Sequence, residues 1–230
     1  MTNHCSNKLV VKGDPKDMKA FVDTLVDENG KKQFLFATIV PVPEELQNVT
    51  TGLVTINGVK YNNWLLHING EEVGISTQKE NDLISKYGAK NKIEYRLLFW
   101  GTKWDALDPI LNIQDSEVTI HFDTANNPPT AWLNQASKEF PTLTFELYFA
   151  ECGTDFYGTV IYKNGPILSE IKSGCFVGSY EFNDDHHDNV NLKHLYNLIP
   201  NNDFDITHFY NRIPTEFEIF LEEHGLHKGG

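Results

Sequence analysis

Along the first 40 residues the hydrophobic pattern changes period twice. "NKLVVKG" (7–13) is a short β-branched run closed by glycine, which predicts a strand. Asp14 and Pro15 then offer a helix cap and a first helical position. Met18, Phe21, Val22, Leu25 and Val26 recur at three and four residues until Asn29-Gly30, the spacing of an amphipathic helix. "KQFLFATIV" (32–40), closed by "PVPEEL", predicts a second strand. The order is strand, helix, strand.

The same order returns downstream. "SEVTIHFDTA" (116–125) alternates Val118, Ile120 and Phe122 against Thr119 and His121, as a half-buried strand does. "NNPPTAWLNQASKEF" opens on Pro128-Pro129 and sets Trp132, Leu133, Ala136 and Phe140 on one helical face. "LTFELYFAE" (143–151) alternates again, and "DFYGTVIYKNGPILSEI" predicts a hairpin turning at Asn164-Gly165. Two β-α-β units in tandem predict an α+β fold, the ferredoxin-like βαββαβ sandwich, over residues 1–175. The name describes topology and implies no cluster.

A long α/β insertion, about 45–112, separates the two halves in this reading. It holds hairpin signals at Asn57-Gly58 and Asn69-Gly70, and a helix "TQKENDLISKYG" with Thr77 as N-cap and Glu80 at the capping-box position. "KIEYRLLFW" (92–100) alternates and predicts a strand that runs into "FWGTKWDALD". Residues 176–230 form an acidic C-terminal extension, broken by prolines but rich in aromatics, expected to pack on the domain and to end in a short helix, 215–224.

Composition narrows the function classes. With 230 residues and 40% hydrophobic content, the chain can bury a real core. No apolar run is long enough to cross a bilayer, and "MTNHCSNKLVV" lacks a basic-then-apolar leader, so a soluble protein kept in the cytoplasm is expected. Cys5, Cys152 and Cys175 are odd in number and form no CxxC, which predicts reduced thiols. Lys and Arg number 19 against 32 Asp and Glu, a net charge of −13. That sign disfavours a phosphate-tracking protein; it is explained by solubility or, more sharply, by attraction to a basic partner surface.

The candidates for chemistry are few. "DDHHD" (184–188) carries metal-ligand residue types but no HxH or HxxxH spacing, so an exposed acidic turn is expected and no metal or cofactor. Cys152 in "ECGTDFYG" is expected to sit in a turn bent at Gly153, and the sequence contains no GxSxG and no Walker-type glycine loop. Phe145, Tyr148 and Phe149 stand on a strand that RNA-recognition folds use, but no matching glycine-aromatic signature accompanies them. In "FWGTKWDALD" a tryptophan is by default an anchor for the core. A binding role requires Lys103 and one indole to be exposed together.

"IVPVPEEL", "YGAKN", "WGTKWDA", "FDTANNPPTAW" and "FPTLTFELYFAE", with Asn3-His4-Cys5-Ser6-Asn7 at the start, together resemble the YubB-type ferredoxin-like domain family of phages and plasmids. The resemblance covers most of residues 1–170. It departs at His4, where tryptophan is commoner, and in the extra residues of "TANNPPTAW". It implies the fold and a mobile-element setting, and assigns no catalytic residues. The expected function is a non-enzymatic interaction protein that blocks a host defence or nucleic-acid-processing protein, such as a CRISPR complex. Lys103, Trp104, Glu181, Asp184, Asp185 and Asp188 are the expected partner contacts, with no direct nucleic-acid or membrane binding. The alternatives are a ligand-binding or enzymatic domain using a cleft between sheet and insertion, or an oligomeric assembly factor.

Overall fold

The computed structural model describes residues 3–26, 30–66, 70–151, 153, 156–173, 219 and 222–226. At its centre three strands alternate as their sequences require. Strand β1 (His4–Lys12) buries Cys5, Asn7, Leu9 and Val11 on one face and turns His4, Ser6, Lys8 and Lys12 to the other. It pairs antiparallel with β6 (Glu117–Ala125) on one side and β7 (Thr144–Glu151) on the other. Helix α1 (Pro15–Asp23) begins as expected, with the Asp14 carboxylate accepting from the Lys16 N–H at 2.9 Å. Helix α5 (Thr130–Glu139) joins β6 to β7. Met18, Phe21 and Leu25 from the α1 region and Trp132, Leu133 and Ala136 from α5 join one core with Leu9, Val11, Ile120, Phe145 and Leu147 of the sheet. The fold is the ferredoxin-like α+β sandwich.

The fourth strand of that sandwich is not the expected one. Residues 32–40 form no sheet strand; they contribute an isolated bridge at Lys32 and a 3-10 turn, Phe36–Thr38. The edge beside β6 is taken by β5 (Leu107–Ile113), which makes a hairpin with it. Hydrogen bonding decides between the two segments. Around 36–40 the backbone is satisfied by side chains: the Trp100 indole donates to the Val40 carbonyl at 2.8 Å, the Trp132 indole donates to the Phe36 carbonyl at 3.1 Å, and the Phe36 N–H donates to Asp105 at 2.6 Å. Phe34 and Phe36 enter the core edge-on to Trp132 and Trp100 respectively. Strand β5 contains Pro109, which a sheet tolerates at its edge, and the register shifts between Leu107 and Ile110.

The insertion therefore lies between α1 and β5. It starts with α2 (Glu44–Gln47) and a three-stranded sheet of β2 (Val49–Ile56), β3 (Val59–Leu66) and β4 (Glu72–Gly74), whose first hairpin turns at Asn57-Gly58 as expected. Helix α3 (Thr77–Tyr87) is capped by Ser76, not Thr77, and Glu80 instead accepts from the Asn63 amide at 2.6 Å. Residues 92–100 are not a strand. They form helix α4 (Lys92–Phe99), capped by Asn91, which accepts from the Ile93 and Glu94 N–H groups at 3.0 and 2.9 Å. Glu94 reaches back to the Lys90 N–H at 3.1 Å. The Asn91 and Asn63 amides, both buried, meet at 2.9 Å and tie α4 to β3.

Beyond β7 the sheet continues through β8 (Phe156–Tyr162) and β9 (Ile167–Ser173), giving the order β5-β6-β1-β7-β8-β9. Asn164 and Gly165 adopt positive φ at the expected β8–β9 turn. No helix among the described residues is long and apolar enough to cross a membrane.

Candidate functional site

The segment that closes α4 and opens β5 joins the insertion to the sandwich. Trp100 is fully buried, its indole donating to the Val40 carbonyl. Gly101 follows at φ +85°, and a Cβ there would stand 3.1 Å from the Pro128 carbonyl oxygen, so glycine is required both by conformation and by the close passage of the α5 lead-in. Thr102 is buried and donates to the Ala125 carbonyl at 3.0 Å. Asp105 holds the Phe36 and Ala106 N–H groups at 2.6 and 2.9 Å. Burial pushes the Asp105 carboxyl above its usual range, against these N–H groups and Arg96, which pull it down.

Between these anchors Lys103 and Trp104 stand at the surface. Trp104 is 38% exposed, and the Lys103 ammonium sits 4.9 Å from its ring centroid. The pair is braced from below: the Arg96 guanidinium donates to the Lys103 carbonyl at 3.4 Å and stacks 4.9 Å over the Trp100 ring. Burial lowers the Arg96 pKa. Its Nε is shielded and has no hydrogen-bond partner among the described residues. The same short segment thus holds one tryptophan for the core and one for the outside.

A groove of about 420 Å³ lies between the 39–41 segment, α4 and α5. Pro41, Tyr95 and Phe99 are among its apolar residues, with Gln135, Lys138 and Glu139 among the polar ones. The Tyr95 and Phe99 rings lie 4.4 Å apart at 34°. Sequence reasoning missed this feature because it placed Tyr95 and Phe99 on a strand. The signal that would have found it is Asn91 followed three residues later by Glu94, a helix start.

The other sequence candidates separate. Glu181, Asp184, Asp185, Asp188 and the histidines between them lie outside the described residues, as do Cys152 and Cys175. Among the described residues no cluster of His, Cys, Asp and Glu is placed to hold a metal ion. Cys5 is fully buried, and burial raises its thiol pKa well above the ordinary value. Phe145 and Phe149 belong to the core, whereas Tyr148 points to the opposite face of the sheet. Those three aromatics therefore do not form one platform.

Residues 99–191 match the family model described as the ferredoxin-like domain in Api92-like protein. The match starts at Phe99, so it takes in the Trp100–Asp105 junction and every later strand of the large sheet. A crystal structure of a protein api92 from Yersinia pseudotuberculosis is similar to this chain at 12% identity and a TM-score of 0.40, covering 78% of this chain and all of that one. No curated protein matches.

Proposed function

We propose that this chain acts by binding another protein through the Lys103–Trp104 pair, of which Trp104 is exposed. The observation that carries the reading is the split fate of the two tryptophans. Trp104 is held half-open on the junction, with a cation over its ring, while Trp100, Thr102 and Ala106 around it are buried. Aromatic residues fixed in this way are the usual anchors of protein interfaces, because little side-chain entropy remains to be lost on binding. The net charge of −13 favours a partner with a basic surface, steered by long-range attraction. The sequence motifs that resemble the YubB-type family of phages and plasmids support a mobile-element setting, with a bacterial host protein of defence or nucleic-acid processing as the target. Glu181, Asp184, Asp185 and Asp188 supply the acidic contribution in this proposal.

The test is affinity capture from a bacterial host lysate with the wild-type chain, Trp104→Ala, Lys103→Glu and the fourfold charge reversal at Glu181, Asp184, Asp185 and Asp188. Loss of one specific partner in the Trp104 and charge-reversed variants, with an unchanged melting temperature, is expected. Capture that is indifferent to Trp104 sinks the reading.

A second reading is favoured by the Tyr95–Phe99 groove, whose tilted ring pair and Lys138 could hold a small planar anion. Native mass spectrometry of the purified chain tests it: a bound small molecule lost in Phe99→Ala would support this reading over the first.

A further inference from the structure

The face of the large sheet away from α1 and α5 is the one that a ferredoxin-like sandwich leaves open. Here part of it is buried. Ala150 of β7 and Tyr157 of β8, directly paired across the ladder, are 2% and 8% exposed. What lies on them comes from the far end of the chain. Leu226, 7% exposed, packs in one cluster with Ala150, Tyr157 and Tyr148. Two residues earlier, the His224 imidazole stacks on the Tyr148 ring at 4.3 Å and 29°. Gly225 bends the chain between them at φ +62°, and a Cβ placed on it would come within 3.9 Å of the His121 ring on β6.

The registers explain the shape of the seat. His121, Lys8, Tyr148 and Thr159 form one row across β6, β1, β7 and β8. Asp123, Ser6, Ala150 and Tyr157 form the next row on the same face. The small Ala150 leaves a depression walled by two tyrosines, which a leucine fills, and the ring of Tyr148 offers a flat shelf beside it. Tyr148 is itself fixed, its hydroxyl donating to the Glu146 carboxylate. The occupant adds no strand to the sheet among the described residues. It ends a helical turn at Glu222 and Glu223 and rests on the face through side chains.

We propose that this face is a peptide-docking surface and that His224-Gly225-Leu226 is its resident, exchangeable ligand. The partner it fits is a protein segment that presents a planar ring and, two residues on, an aliphatic side chain. Such a segment would bind by displacing the chain's own C-terminal stretch. Among the described residues the segment meets the face through His224 and Leu226, and attachment to the same chain keeps the resident ligand at high effective concentration. Leu226 belongs to a cluster separate from the main core, so its local release needs no opening of that core. The surface is separate from Lys103–Trp104, and the proposal stands or falls independently of that pair.

The experiment uses the full chain and a fluorescein-labelled peptide of residues 217–230, read by fluorescence anisotropy. Wild type is expected to bind the peptide weakly, because the seat is taken. Leu226→Asp frees the seat and should bind it at least tenfold more tightly, with amide exchange in β7 and β8 still slow. Adding Tyr148→Ser to Leu226→Asp should abolish the gain, and peptides with His224→Ala or Leu226→Ala should each compete less well. Equal affinity in wild type and Leu226→Asp overturns the proposal, as does a gain that survives Tyr148→Ser. Global loss of exchange protection in Leu226→Asp also overturns it, since the segment would then be part of the core and not a ligand.

Discussion

Trp100 and Trp104 are four residues apart and have opposite fates. Trp100 caps the end of a helix, its indole donating to the Val40 carbonyl, and the residue is fully buried. Trp104 follows Gly101, whose left-handed conformation turns the chain out of the helix and over the surface. The residue type is the same and the local composition nearly so. The difference is the direction in which the backbone delivers each side chain, so a tryptophan count says little about which one is available to a partner.

The comparison breaks most clearly in stability. Trp100→Ala leaves a cavity and an orphaned Val40 carbonyl, and should cost about 3–5 kcal/mol in urea unfolding. Trp104→Ala should cost no more than about 1 kcal/mol in the same experiment, since the ring is already partly in water. Equal losses at the two positions would mean that Trp104 is as much a core residue as Trp100. Gly101→Ala tests the turn that separates them. Positive φ and the 3.1 Å approach to the Pro128 carbonyl together predict a loss of about 1–3 kcal/mol. Asp105→Ala removes the acceptor of two N–H groups beyond the turn, and a loss of about 1–3 kcal/mol in thermal or urea unfolding is expected.

A test read through pH lies elsewhere in the sheet, in Tyr162 of β8. Burial, with Glu170 nearby, pushes its phenol up to about 12. The neutral ring is therefore favoured in the folded chain. As pH rises from the unfolded value near 10 towards 12, the unfolded chain loses this proton first and stability falls. Urea midpoints measured across that range should drop less in Tyr162→Phe than in wild type. Identical slopes would show that Tyr162 is not the titrating group.

Local pattern carried much of the sandwich. The β-branched run at 7–13, the alternation in 116–125 and 143–151 and the three-four spacing around Phe21 and Trp132 each need only their own segment to be read, because the period of burial is a property of the element itself. Pattern failed where two segments competed for one role. Residues 32–40 have the better strand composition, yet 107–113 holds the sheet edge, because indole and carboxylate groups distant in sequence satisfy the 36–40 backbone. It failed again at 92–99, where Ile93, Tyr95, Leu97 and Phe99 alternate by accident and the Asn91 cap fixes a helix.

The sequence by itself determined the class of fold, the central strands with their two covering helices, and the acidic charge. All of these follow from neighbours in the chain or from composition. Tertiary structure alone decided which segment became the edge strand, which tryptophan reached the surface, and that Leu226 lies on Ala150 and Tyr157. Each of those outcomes rests on contacts between residues far apart in the chain, and the free energy of such contacts is not written in any one segment.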